Sequence, residues 1–399
     1  MERTNYRLYF IDAMRAWAIL MMLQGHFVDG LLDNAFRDNT NLTFAIWKYF
    51  RGITAPVFFT VSGFIFTYLL VKGDKIGMDN PRVEKGIKRG LQLLFIGYLL
   101  RLNFTGLLQG QLYNAFYLVD VLHCIGLSIL GIVALYVLTI TRKNKSLFPI
   151  VLVGITIVLF VLEPFYKTFS HSYLPQLIAN YFTKANGSVF TIIPWFGYAS
   201  FGAFLSLGFT KYKEYRYLYP AAIAGFSALG GLLIYYSSGF FLGLSQITGL
   251  SLFSEVYYNN YLFIRLGNVL IVFAVFMLLN RLLMNRTLLK IGQSTLSIYV
   301  IHFMLLYGSF TGLGLYRFFN HSLSPSFVIP GAFVFIVLST YSALQFEKNK
   351  DTLKGHISLA LKQSWILVEP WYHFTLVLCK EQLLKLRLTL MRLFGIAEN

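Results

Sequence analysis

Arg15 and His26 share one apolar run, Phe10 to Asp29, and lie eleven residues apart. Eleven residues are close to three helical turns, so both side chains fall on one face, about 16 Å apart along the axis. A guanidinium grips phosphate or carboxylate through paired hydrogen bonds and keeps its charge at any physiological pH. An imidazole, with an unperturbed pKa of about 6.5, exchanges a proton near neutrality. Asp12 stands one turn before Arg15 and is placed to pair with it. A plainer reading has Arg15 reaching back to a membrane surface and His26 holding two helices together by a hydrogen bond. The shared face weighs against both plain readings.

Other polar residues sit in apolar runs. Asp120 and His123 are three apart in Phe116 to Gly126, hence neighbours on a helix; they could orient an acceptor or form a structural pair. His302 closes Ser294-Thr295-Leu296-Ser297-Ile298-Tyr299-Val300-Ile301-His302, where an interhelical hydrogen bond is the plain reading. Ser62-Gly63, after Pro56, reads as close helix packing. Pro194-Trp195 reads as a helix start at an interface. Arg101 and Arg265, toward the ends of their runs, read as snorkelling side chains. His171, His321, His356 and His373 fall outside the runs and carry no assignment. Cys124 and Cys379 lie on different expected helices, which argues against a disulfide framework and against a metal site.

Membrane helices must position these groups. Hydrophobic residues make up 56% of the chain and charged residues 13%, against about 25% in soluble domains. Mean hydropathy is +0.61. One soluble core stops growing near about 250–300 residues, so the bilayer is the natural solvent for 399 residues of this composition. The expected fold is all-α, a polytopic bundle of about ten transmembrane helices, with amphipathic helices at the C-terminus. The spans are expected at 11–32, 52–71, 90–108, 117–140, 147–163, 189–209, 218–238, 262–284, 292–312 and 326–346. The Gly-, Ser- and Asn-rich stretch 239–261 suits a re-entrant or interfacial segment. No cleavable signal peptide is expected: Asp12 and Arg15 interrupt the first run, which is long enough to span.

Charge orients the chain. The formal net charge is +17, and the excess sits in short connections rather than on a nucleic-acid-binding face. One set holds Lys72, Lys75, Arg82, Lys85, Lys88 and Arg89, then Arg142, Lys143 and Lys145, then Lys211, Lys213 and Arg216, then Arg281, Arg286 and Lys290. The alternate set holds far fewer. The alternation places both termini in the cytoplasm. Two regions follow: a transmembrane part, 1–349, and a cytoplasmic tail, 350–399. In the tail Lys354, Lys362, Lys380, Lys385, Arg387 and Arg392 interleave with Leu, Val, Phe and Trp, as in helices lying on an anionic leaflet, with a break expected at Glu369-Pro370.

Arg15, ten intervening residues and His26 resemble the hallmark of membrane-bound acyltransferase family 3. The wider set is more similar to the bacterial branch of the heparan-alpha-glucosaminide N-acetyltransferase catalytic-domain family. It comprises Ile11 to Arg15, Pro56 to Gly63, Val121 to Gly126, Ile193-Pro194-Trp195 and Gly292 to His302, in order over residues 7–302. Here Arg15-Ala16-Trp17 stands where the family has Arg-Gly. The resemblance implies an acyl-CoA donor, acetyl-CoA for the named activity, in the cytoplasm. It also implies a sugar or glycan acceptor on the far side, a histidine doing the chemistry, and a bacterial inner-membrane location. Carried onto this chain, it makes His26 the general base, with Asp120 and His123 serving the acceptor and Arg15 and His302 the donor. Two other readings remain open on the residues alone: a small-solute transporter using the intramembrane Arg, Asp and His, and a non-catalytic scaffold.

Overall fold

A computed structural model describes residues 8–73, 75–140, 146–171 and 173–393; within its last helix, the side chains at 361, 370, 373, 379 and 386–393 are outside the description. Arg142, Lys143 and Lys145, and the side chains of Arg387, Arg392 and Cys379, therefore lie outside the described residues. The described chain is 79% helical, with no strand. The helices are α1 (Tyr9–Leu31), α2 (Leu42–Leu70), α3 (Pro81–Arg101), α4 (Phe104–Leu108), α5 (Val121–Thr139), α6 (Leu147–Val161), α7 (Glu163–Tyr166), α8 (Gln176–Ala179) and α9 (Ile192–Lys211). They continue with α10 (Leu218–Tyr235), α11 (Ser237–Thr248), α12 (Ser251–Tyr258), α13 (Tyr261–Leu278), α14 (Arg286–Gln293), α15 (Thr295–Tyr307), α16 (Leu315–Phe319) and α17 (Pro325–Leu393). The chain divides into two compact units, one ending at Leu344 and the other beginning at Gln345.

Each of the ten expected spans coincides with a helix. Six helices are long and apolar enough to cross a bilayer by themselves: α2, the helical stretch Asn114–Thr139 containing α5, α9, α10, α13 and the Pro325–Glu369 part of α17. The pair α14 and α15, bent by 71°, together makes a seventh. The remaining three are α1 and α3, diluted by Asp12, Arg15 and the charges before Gly90, and α6, which has only 15 residues. The chain is an integral membrane protein.

Boundaries differ from expectation where capping chemistry decides them. α2 begins ten residues before the expected span because the Asn41 side chain accepts the Phe44 N–H, starting the helix in a polar aromatic stretch. α3 begins at Asn80-Pro81, a cap followed by proline in the first turn. The stretch 239–261 forms α11 and α12, turned at Gly249 in the left-handed conformation. In the second unit the helix runs on through Glu369-Pro370. A proline removes one hydrogen bond and crowds the preceding turn, and here the helix carries that cost rather than ending.

Close helix contacts fix the site-bearing helices. A Cβ on Gly63 would strike the Ala199 carbonyl, and one on Gly202 the Thr60 carbonyl, so α2 and α9 touch backbone to backbone. Gly292 on α14 lies against the Asp12 carbonyl of α1 in the same way. Inside, Phe10, Phe64, Phe209 and Phe273 pack ring on ring. Outside, residues such as Leu232, Tyr235, Phe327 and Phe333 are exposed on α10 and α17, as lipid-facing surface requires.

Candidate active site

Two hydrogen bonds join α1 to α15. Near the start of both helices, Arg15 Nη2 donates to Thr295 Oγ1 at 3.0 Å. Further along both, His26 Nδ1 and His302 Nε2 lie 3.1 Å apart. Arg15 to His26 is about 16 Å of helix and Thr295 to His302 about 10 Å, the long arginine making up the rest. Contacts in the same order on both helices make them parallel, as two odd-numbered spans must be. His302 is completely buried, with its ring 4.8 Å from that of Tyr299. His26 is partly exposed, with Tyr307 at 6.2 Å between centroids.

His26 opens into a large cavity of about 720 Å³. Two ion pairs line it. Arg51 of α2 pairs with Asp29, one turn beyond His26 on α1. Arg101, at the end of α3, donates from Nε to Asp120 Oδ2 at 3.1 Å. Tyr113, Tyr299, Tyr307, Tyr316, Phe116 and Phe303 supply much of the remaining wall. Rings with polar edges beside carboxylates and guanidiniums make a surface suited to a polar, hydroxyl-rich molecule.

Asp120 is also the N-cap of α5. Its Oδ1 accepts the Leu122 N–H at 3.1 Å, and His123 Nδ1 lies 3.2 Å from the Asp120 backbone N and 3.1 Å from Oδ1, a capping box. His123 is completely buried between Gly97 and the Tyr98 ring and does not line the cavity. Arg101 departs from the snorkelling expected of it: its head group is held inward by the Asp120 carboxylate.

A second cavity, about 250 Å³, lies at the Arg15 level. Arg15 and Arg89 face it together with Ser62, Thr295 and an apolar wall that includes Phe58, Ile65, Leu93 and Ile129. Arg15 lies 3.7 Å from Asp12, and Arg89 donates to Gln92 at 3.1 Å. Ser62 Oγ donates to the Phe58 carbonyl at 2.7 Å, the ordinary back-bond of a helical serine. Tyr299 borders both cavities.

Of the residues singled out from sequence, His26 and Asp120 line the large cavity and Arg15 the smaller. His302 joins His26 rather than Arg15, because it lies two turns beyond Thr295. Arg265, expected to snorkel, stacks over Tyr49 at 4.9 Å and donates to its carbonyl. Sequence reasoning missed Asp29, Arg51, Arg89 and Tyr299 as cavity residues. Asp29, one turn from His26, carried a readable signal; the others depend on which helices meet.

Cavities bordered by histidine, arginine and aspartate within a bundle of apolar helices define an integral membrane protein that carries polar groups among its helices. The sequence profile of the heparan-alpha-glucosaminide N-acetyltransferase catalytic domain matches residues 7–239. The chain belongs to that family of membrane acetyltransferases. The matched segment holds Arg15, His26, Asp120 and His123 and ends before α15. No curated protein compared with the chain matches it.

Proposed function

We propose that the protein moves an acetyl or related acyl group from cytoplasmic acyl-CoA to a sugar or glycan on the other side of a bacterial inner membrane. The observation that carries this reading is His26 on the wall of the large cavity, paired with the buried His302 and three turns along α1 from Arg15, which faces the smaller cavity. The excess of Lys and Arg in alternate connections supports cytoplasmic termini, and hence a cytoplasmic Arg15. Arg15 and Arg89 bind the CoA phosphates, and the apolar wall accepts the pantetheine arm. The acceptor occupies the large cavity. The second unit, with its exposed Lys, Trp and Leu, rests on the inner leaflet.

In the proposed step His26 donates its Nδ1–H to His302 Nε2, which leaves Nε2 of His26 free to take a proton. The acceptor hydroxyl or amine attacks the thioester carbonyl as Nε2 takes that proton. The new C–O or C–N bond forms, the C–S bond breaks, and the proton passes to the departing thiolate, giving free CoA thiol. An acyl-histidine intermediate would use the same residues in two steps. Asp120, held by His123 and Arg101, positions an acceptor hydroxyl. Mass spectrometry of cell-surface glycans with and without the protein tests the reading: a mass difference of one acyl group supports it, and unchanged glycans oppose it. Label transfer from acyl-CoA by the purified protein separates an enzyme from a transporter, which would give solute counterflow in liposomes without CoA.

A further inference from the structure

Two stretches without a charged residue, 102–119 and 303–316, supply much of the wall of the large cavity. They are tied together beside it. The Phe104 N–H donates to the Phe310 carbonyl and the Phe310 N–H to the Leu102 carbonyl, both at 2.9 Å. The rings of Phe104 and Phe310 stack 5.1 Å apart. Phe104, Leu107, Leu112 and Leu313 are exposed, and Leu108 is 90% exposed. Leu112 and Tyr113 belong to the cavity wall and to the outer surface at once. The other connections expected on this side of the membrane carry charge: Asp33, Arg37 and Asp38 after α1, Glu163, Lys167 and Lys184 before α9, and Glu255 on α12.

A loop that faces water carries charge, whereas a rim of Leu, Phe and Tyr has the composition of a membrane interface. Past the rim the surface changes. Arg51 with Asp29 and Arg101 with Asp120 offer hydrogen bonds in both directions. A polar interior behind an apolar rim matches an amphiphile, with a hydroxyl-rich head and a hydrocarbon tail. Given the acyl-transfer reading, on which this inference rests, we propose that the cavity opens within the outer leaflet and that the acceptor is a glycolipid. Its sugar occupies the large cavity, and its lipid chain runs along Leu108, Leu112 and Leu313. The acceptor then enters sideways from the bilayer and not from the aqueous phase.

Washed inside-out membrane vesicles of the producing organism, given labelled acetyl-CoA, test this. Label is expected in the organic extract, and cleavage of the sugar from its lipid is expected to move it to the aqueous phase. Vesicles lacking the protein should show neither. A leucine buried against a lipid chain is worth about tenfold or more in affinity. Leu108→Asp is therefore expected to raise the acceptor KM by about tenfold, with acetyl-CoA affinity within twofold of wild type, which guards against misfolding. Ile247→Asp alters an equally exposed residue of α11, outside the cavity wall, and should leave the acceptor KM unchanged. Label confined to water-soluble sugar or polysaccharide would overturn the glycolipid and leave acyl transfer standing. Equal effects of both variants, or of neither, would overturn the rim as the seat of the lipid. No transfer to any fraction would overturn the acyl-transfer reading itself.

Discussion

The two principal cavities handle charge in opposite ways. Around His26 each guanidinium has a carboxylate: Arg51 with Asp29, and Arg101 with Asp120. Around Arg15 there are two guanidiniums, Arg15 and Arg89, with one carboxylate, Asp12, 3.7 Å from Arg15. Balanced pairs offer hydrogen bonds in both directions and no net field, which suits an uncharged polyol. Surplus positive charge suits phosphate. On the proposed function, the contrast separates the recognition of an anionic donor from that of a neutral acceptor, with α1, α2, α3 and α15 lining both cavities and Tyr299 bordering each.

The comparison breaks most sharply at His26. His26→Ala is expected to lower transfer by about 10²–10⁴-fold while acyl-CoA affinity stays within twofold, read by label transfer and by titration. Near-normal turnover would remove the imidazole from the chemistry. Arg15→Ala is expected to weaken acyl-CoA binding by about 10–100-fold, the loss of one charge-assisted hydrogen-bonding group, with acceptor KM unchanged. Arg15→Lys should recover part of the loss, because a point charge replaces a fork. Parallel losses for both substrates would contradict the separation of sites. His302→Gln is expected to lower kcat by about tenfold with little change in either KM, since it acts through the His26 ring.

The smallest effects concern the acceptor wall. Asp120→Ala removes the α5 cap, worth about 0.5–2 kcal/mol, and leaves Arg101 unpaired. The thermal midpoint in detergent should fall. Asp120→Asn can still accept the Leu122 N–H and should lose less. Equal destabilisation by both substitutions would assign the stability to charge pairing and not to the cap.

Much of this arrangement was legible in the sequence because lipid imposes one rule: about twenty apolar residues per crossing. Every span expected from hydropathy coincides with a helix, including α1 and α3, whose charges dilute the signal. Helix starts were less legible. Hydropathy reports the part of a helix that faces lipid, whereas Asn41 and Asn80 start α2 and α3 in polar sequence through side-chain caps. The 71° bend between α14 and α15 was also hidden, since Gly292-Gln293-Ser294 falls at the start of one expected span. Arg15 and His26 could be placed on one face because their spacing is local. Their partners Thr295 and His302 lie 280 and 276 residues away. The parity of spans makes α1 and α15 parallel but does not make them neighbours; that follows from Gly292 letting α14 meet the α1 backbone at Asp12. Asp120 and His123 show the opposite limit, a local pair read correctly as neighbours, whose capping role needed the backbone around them.

Tyr299 borders a cavity on either side, and this bears on insulation. A membrane at rest drops its voltage across whatever keeps its two aqueous phases apart. On the proposed orientation water approaches Tyr299 from both directions, so the effective dielectric there narrows from the full hydrocarbon width to the span of a few side chains. The potential, about 2.3 kcal/mol per elementary charge for each 100 mV, then concentrates on that short gap, where the proposed function has the thioester open. An energised cell would thereby act on the proton and the leaving thiolate as they part, giving the reaction a rate that follows membrane voltage.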